Sequence, residues 1–589
     1  MCGIIAIAGN KTSEIKDGIV TNMLSTLLKR GPDAHDFRRF DKCVVGQTRL
    51  SIIDLATGDQ PMRDNSKPLT IVFNGEIYNY KELRSELEKK NHKFSTQSDT
   101  EVILKSYVEY GEDCPKYLDG MFAFAIWDEE KKELFTARDR FGKKPLYYTF
   151  LDDKSIIFAS EIKAIFAGGL IKGEIDWTTI DNYLTLMYVP PWKSIYKNVQ
   201  VIPPASFATY KNNKLGEPKR YWSIPRNPQK PTYEEAKARI KELIGKAVKK
   251  RMVADVEIGS LLSGGVDSTL ITYLAQSYMN RPIKSFSVGY KGHNSELPYA
   301  KQASERIGTD HYTLEARSDL CDELEKVIEY MDEPHADTSN FPQHLISELA
   351  GSKVKVALSG DGADELFMGY GWYWKYFNTT KLLRIKNALF SNQFNEYIKN
   401  ISIFSRLERK KLWRDDSAIN HDIYPKTLSS IKNNTGKINL FDLEVYLPGQ
   451  LLTKIDRTGM MHSLEVRSPF LDKDLVEYVY NIPAEYKMDG QRGKIILKDI
   501  LSDLMPIEFA NRRKQGFGAP IAEWLKEDKM RALIKKILSN QSNHMYEKIS
   551  YDEVQSLLKK PYDDSKLIYK IWTLLCLGIW FEYHEKYQI

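Results

Sequence analysis

The chain has 589 residues and a mass of 68.0 kDa, enough to bury more than one sizeable core without a disulfide or metal staple. Its 85 Lys and Arg against 79 Asp and Glu leave a net charge of +6, too little over that length for a nucleic-acid footprint or a polybasic membrane patch, and 42% apolar with 28% charged residues excludes a disordered chain. Five cysteines, Cys2, Cys43, Cys114, Cys321 and Cys576, are odd in number and far apart, which excludes a Cys-x-x-Cys pair, argues against a disulfide framework and, with no basic leader after Met1, fits a reducing cytoplasm.

Short β-type runs dominate the first third of the chain, predicting strands over 4–8, 44–50, 69–73, 121–127, 133–138, 146–150 and 156–160. A charged Asp-Glu-Glu-Lys-Lys turn between 121–127 and 133–138 predicts a hairpin. Helical periodicity falls at 19–29, 81–89 and 100–110. Strands outnumber helices and do not alternate strictly with them, which predicts an α+β domain of stacked, largely antiparallel sheets over 2–210. A linker follows at 211–233, ending in the proline-rich SIPRNPQKPTY, and a second domain runs over 234–589. There, strands at 256–262, 283–288 and 354–358 are separated by helical stretches, one starting near 268, which predicts an α/β parallel sheet with crossovers. Beyond 372 the chain reads mostly helical, and the apolar run 571–581 is too short to span a bilayer and predicts a buried helix.

The first chemical signal is Cys2. Removal of Met1 leaves a terminal cysteine whose α-amine, with an ordinary pKa of about 7.7–8.0, can serve as its own base. Small buried cysteines are also common core residues, so the surrounding pattern decides. Met1-Cys2-Gly3-Ile4-Ile5 opens a strand at the thiol. Arg30-Gly31-Pro32-Asp33, Arg49-Leu50-Ser51-Ile52, Phe73-Asn74-Gly75-Glu76-Ile77-Tyr78-Asn79 and Ser98-Asp99-Thr100-Glu101 follow in order. Thiolate attack on an amide builds negative charge on oxygen, which the Asn74 side chain and the Gly75 backbone N–H can stabilise. A free amino acid's carboxylate suits a bidentate clamp by Arg49, and its ammonium suits Glu76 and Asp99. Taken singly, Asn-Gly is also a hairpin turn, and Arg49 and Asp99 also suit surface ion pairs. As a set, these segments resemble the glutaminase domain of class II, N-terminal-nucleophile, glutamine amidotransferases. The resemblance implies an αββα sandwich, Cys2 as nucleophile, Asn74 and Gly75 as the oxyanion hole, and glutamine bound by Arg49, Asn74, Glu76 and Asp99. One departure is Gln47 before Thr48-Arg49, where the family often has a histidine.

A second signal lies at Ser260-Leu261-Leu262-Ser263-Gly264-Gly265-Val266-Asp267-Ser268, after a predicted strand and at the start of a predicted helix. It lacks the Gly-Lys-Ser/Thr of a Walker A loop. Two glycines, the Ser263 and Ser268 hydroxyls and a helix N-terminus still make an anion site. The acidic loop Leu358-Ser359-Gly360-Asp361-Gly362-Ala363-Asp364-Glu365-Leu366-Phe367 also follows a strand. Two such loops suit one site at the carboxyl edge of a parallel sheet, although Asp361 and Asp364 also suit helix N-caps.

The SGGVDS string resembles the pyrophosphate loop of ATP pyrophosphatases. Ser287-Val288-Gly289-Tyr290, Asp332-Glu333-Pro334 with Asp337, Lys454-Ile455-Asp456-Arg457, Glu465-Val466-Arg467-Ser468-Pro469-Phe470-Leu471-Asp472 and Arg513-Lys514-Gln515-Gly516-Phe517 extend the match. From Cys2 to about Pro520 the chain resembles the glutamine-hydrolysing asparagine synthetase family. The resemblance implies amidation of aspartate through an acyl-adenylate, with ATP and Mg²⁺ as cofactors. It implies ATP held by Leu262, Ser263, Gly264, Gly265, Asp267, Ser268, Val288, Ser359 and Gly360, and metal held by Asp267 and Asp364. Asp361 and Arg467 are implied at the acceptor, with Asp361 helping to accept the ammonia proton, and Lys514 on the pyrophosphate. The implied partners are glutamine, aspartate or another small carboxylate, and ATP, with no nucleic acid or membrane. Relatives are often homodimers, and some amidate other carboxylates.

Overall fold

In a computed structural model, described over residues 2–290, 295–316, 321–373, 393–419, 428, 431, 434–512 and 518–585, the chain folds as two units. The strands of the first are β1 (Cys2–Ala8), β2 (Ala34–Arg39), β3 (Cys43–Arg49), β4 (Met62–Arg63), β5 (Leu69–Ile77), β6 (Gly120–Asp128), β7 (Glu133–Arg138), β8 (Tyr147–Phe150), β9 (Ile156–Ala159), β10 (Val199–Val201), β11 (Ser206–Lys211), β12 (Lys214–Leu215) and β13 (Lys219–Arg220). They pair into two antiparallel sheets, β10-β8-β9-β1-β3-β2 and β12-β11-β7-β6-β5-β4, with β13 on β11. Side-chain alternation decides the layering. In β1, Ile4, Ala6 and Ala8 enter the core between the sheets, while Ile5 and Ile7 face the other way. In β6, Ala123, Ala125 and Trp127 point inward, and Phe122, Phe124 and Ile126 outward. The helices α1 (Asp17–Ser25), α4 (Ile162–Ala167) and α5 (Trp177–Leu186) cover the first sheet, and α2 (Tyr80–Lys89) and α3 (Asp99–Tyr110) the second.

This helix–sheet–sheet–helix stack is the α+β arrangement expected. The expected strands all occur, with ends shifted by a few residues. Lys214–Leu215 and Lys219–Arg220, expected in the linker, pair instead with β11, so the extended joint is confined to 221–232. It ends where Thr232 and Glu235 form a capping box that starts α6 (Tyr233–Arg251).

The second unit is built on a parallel sheet of β14 (Ile258–Leu261), β15 (Lys284–Tyr290), β16 (Asp310–Ala316), β17 (Val356–Leu358) and β18 (Glu465–Arg467), in the order β16-β15-β14-β17-β18. Helices cover both faces, as a parallel sheet requires. One face carries α6 and α7 (Val266–Ser277), and the other the helix Asn340–Gly351 and the C-terminal helices. The predicted buried helix near 571–581 is part of Ser565–His584, with Trp572 and Trp580 fully buried. Among the described residues no helix is long and apolar enough to cross a membrane. After β14 the chain crosses to β15 on one side and later returns to β17 on the other, which opens a crevice at the carboxyl ends of β14 and β17.

Candidate active site

The register of β1 against β3 sets Cys2 opposite Arg49. The second sheet reaches the same point through β5, because Asn74 Oδ1 accepts from the Cys2 backbone nitrogen at 3.1 Å. Asn74 Nδ2 is buried with no hydrogen-bond partner, a donor left unsatisfied in a residue whose oxygen touches Cys2. Gly75 has φ +152° and a Cβ there would lie 2.0 Å from Met121 O, so only glycine fits. Ser98 caps α3 by accepting from Thr100 N, which places Asp99 in the first turn, where its Oδ2 accepts from Ile77 N at 3.0 Å. Gln47, the departure from the family pattern, donates to Phe73 O at 3.2 Å and ties β3 to β5 directly behind Asn74.

Cys2, Arg49, Gly75, Glu76 and Asp99 line one cleft of about 310 Å³ of empty space, part of it open to solvent. Arg49 is held by Asp59 at 2.7 Å and by Asp54 O at 2.7 Å. Burial raises Asp99 to about 6 and pushes Glu76 well above the usual carboxylate range, with Glu465 and Asp99 adding to it. Burial also raises the Cys2 thiol, against the pull of Arg49. At neutral pH this thiol keeps its proton until a base removes it.

The second constellation occupies the crevice of the parallel sheet. Gly264 has φ +72° and passes so close to Tyr299 that a Cβ would lie 2.6 Å from its carbonyl. The Ser263 and Ser268 hydroxyls lie 2.9 Å apart, and Gly265 N donates to Ser263 Oγ at 3.3 Å. Gly360 brings the acidic loop against this one, since a Cβ on it would lie 2.9 Å from Asp267 Cβ. The helix Ala363–Leu366 is capped by Gly362 with no side-chain cap bond, so Asp361 and Asp364 are not spent as N-caps. Burial raises the Asp361 carboxyl above its ordinary value, and Lys454 pulls it down.

Asp267 and Asp364 converge, and between them lies Lys494, which the sequence motifs did not mark. Its Nζ pairs with Asp267 and lies 2.8 Å from Asp364. Despite burial, the two carboxylates raise its pKa above the ordinary lysine value. Two carboxylates and one lysine leave a single negative charge. That suits a magnesium ion carried mainly by nucleotide phosphates rather than by protein ligands alone. Among the described residues no cluster of three or more His, Cys, Asp or Glu side chains could hold a metal without such help.

Two expected site residues, Arg467 and Val288, have buried side chains. Arg467 is fully buried and committed: Nε donates to Glu465 at 2.6 Å, Nη1 to Arg251 O and Val253 O at 2.9 and 2.7 Å, and Nη2 lies 3.5 Å from Glu76. Its guanidinium is therefore enclosed at the seam between the two units, within reach of Glu76. Val288 lies on β15 with its side chain in the apolar core. Lys514 lies outside the described residues.

Residues 239–582 match the family model described as asparagine synthase, and residues 1–222 match the one described as a glutamine amidotransferase domain. Two Bacillus subtilis (strain 168) proteins are similar over most of their length. Glutamine-hydrolyzing asparagine synthetase 1 is 32% identical over 98% of this chain and 96% of its own. Glutamine-hydrolyzing asparagine synthetase 3 is 34% identical over 89% of each. A putative glutamine-hydrolyzing asparagine synthetase 2 of Methanocaldococcus jannaschii is 37% identical over 63% of this chain and 76% of its own. The chain is a carbon–nitrogen ligase that uses glutamine as amido donor, and it belongs to the asparagine synthase family.

Proposed function

We propose that this enzyme moves the amide nitrogen of glutamine onto the β-carboxylate of L-aspartate, cleaving ATP to AMP and pyrophosphate. The supporting observation is the pairing in one chain of a cleft holding Cys2 beside an orphaned Asn74 donor with a crevice holding Asp267, Asp364 and Lys494. In the first site the α-amine of processed Cys2 takes the thiol proton. Sulfur bonds to the amide carbon, and Asn74 Nδ2 and the Gly75 N–H receive the oxyanion. The carbon–nitrogen bond breaks, ammonia leaves with the proton, and water later frees glutamate from the thioester.

In the second site an acceptor carboxylate oxygen bonds to the α-phosphorus as the bond to pyrophosphate breaks. The amide end of α7 and Lys494 receive the leaving charge, with Lys514 joining them as the resemblance implies. Magnesium, held by Asp267 and Asp364 together with the phosphates, would screen that charge. Ammonia then attacks the acyl carbon, Asp361 accepts a proton and AMP departs. Pairing the cleavage of glutamine with this step inside one chain limits protonation of the nitrogen in bulk water.

Cys2→Ala tests the division of labour. Glutamine-dependent pyrophosphate release should fall by about a thousandfold or more, while release with ammonium stays within about twofold of native. Equal loss of both would remove Cys2 from the reaction. A panel of carboxylates tests the acceptor: release with aspartate alone supports the reading, and release with a sugar acid or peptide carboxylate instead reassigns it.

A further inference from the structure

Charges are rarely buried without a partner, and the seam between the two domains buries several. Arg30, on the loop after α1, has no solvent exposure. Its Nε donates to the carbonyl oxygen of Cys2 at 3.1 Å. Its terminal nitrogens reach Asp456 at 2.8 and 3.1 Å and Glu161 at 2.9 Å. Asp456 belongs to the synthase domain, on the helix Thr453–Met460, and it also accepts from Lys144 of the glutaminase domain at 3.3 Å. The guanidinium that grips the nucleophile's own backbone is thus aimed by a carboxylate from the other domain.

A second contact repeats the pattern at a residue of the cleft lining. Arg467, on β18 of the synthase sheet, lies 3.5 Å from Glu76, which lines the glutamine cleft. The carbonyl of the same arginine accepts from Ser359 N at 2.9 Å, two residues before Asp361. Arg467 is also the cation that opposes the upward push of burial on Glu76.

We propose that the synthase domain completes the glutaminase pocket, with Asp456 fixing the nucleophile's backbone through Arg30 and Arg467 fixing Glu76 in the pocket wall. Both are positioning residues, and the inference rests on Cys2 as the nucleophile. Glutamine cleavage is then a property of the joined chain.

Asp456→Asn keeps the shape and removes the charge. Glutamate release from glutamine alone, with no acceptor or nucleotide, reads the pocket by itself. Its kcat/KM should fall at least about tenfold, mostly in kcat, while ammonium-dependent pyrophosphate release stays within about twofold and reports an intact synthase domain. Arg467→Lys keeps a cation but withdraws it from Glu76. Glutamine KM should rise about fivefold with ammonium-dependent release preserved, and this variant decides the matter if Asp456→Asn is insoluble. Unchanged glutamine kinetics, or equal loss of both activities, would overturn the inference. A rise in acceptor KM without a rise in glutamine KM in Arg467→Lys would overturn it too, returning Arg467 to the acceptor. Absence of glutamate release by the native chain would instead overturn the Cys2 reading, and this inference with it.

Discussion

Asn74 does two things with one side chain: its oxygen holds the Cys2 nitrogen, and its buried Nδ2 waits without a partner. An unpaired buried donor costs about 1–3 kcal/mol, a price that the proposed oxyanion role of Asn74 would account for. Asp99 shows how burial sets the working range of the same cleft. Burial raises its carboxyl to about 6, so below that pH it is neutral and loses its attraction for an ammonium, and above it the charge is present. Glutamine KM should therefore fall as pH rises through 6, changing roughly tenfold per pH unit on the acid side. Asp99→Asn should erase that limb. Glutamate-release assays from pH 5 to 8 check both, and a flat native profile would remove Asp99 from the contact.

At the scale of elements, the two loops at the carboxyl ends of β14 and β17 meet because Gly360 has no side chain. Gly360→Ala should push the acidic loop off Asp267 and raise the KM for ATP at least about tenfold in a protein that folds and still hydrolyses glutamine. Normal ATP kinetics in that variant would show that the loops can part without cost.

The elements that frame both sites were legible because their strands are apolar on two faces, as in Cys2–Ala8 and Gly120–Asp128. The edge strand Ala34–Arg39 (AHDFRR) was not, since its side chains face solvent and carry no alternation. Glu465–Arg467, also at an edge, is three residues long and two of them are charged, which no hydrophobic pattern can announce. The Cys2 cleft was legible as a set of motifs that the β1–β3 register and the Asn74 bridge bring together. Lys494 was not, because one lysine gains meaning only when the fold sets it between Asp267 and Asp364. Arg467 was placed at the acceptor by motif alone, and its direction in space follows from what β18 packs against.

For the molecule as a whole, buried ionisable groups set the acid limit of stability. His335 is enclosed, with Nε2 3.1 Å from Gln450 O and Nδ1 3.1 Å from Asn340 Nδ2, and burial lowers it to about 4. Burial and its neighbour His344 lower His462 to about 4 as well. The unfolded chain binds these protons near 6.5 and the native chain only near 4, so unfolding takes up protons in between. Stability is therefore intact above 6.5 and falls as pH drops toward 4, by up to about 3 kcal/mol for the enclosed His335 and by less for the partly exposed His462. Melting temperatures between pH 7.5 and 4.5 should show this slope, and His335→Gln should flatten it. A slope unchanged by that substitution would assign the acid limit to other groups.

The apolar cores also ignore the domain boundary: two of them contain residues from both units. The charged seam beside them constrains how such chains can be recombined. Stripping one partner from a buried ion pair costs about 3–5 kcal/mol, a large share of the stability of a typical domain. A glutaminase half borrowed from a relative would bring its own counterparts of Arg30 and Lys144 to Asp456, and a mismatch there would strand a charge in the interior. Chimaeras cut at the proline-rich joint alone should therefore fail where the seam disagrees. Compatibility between halves is written at the buried charges of the seam, far in sequence from the point where the halves are joined.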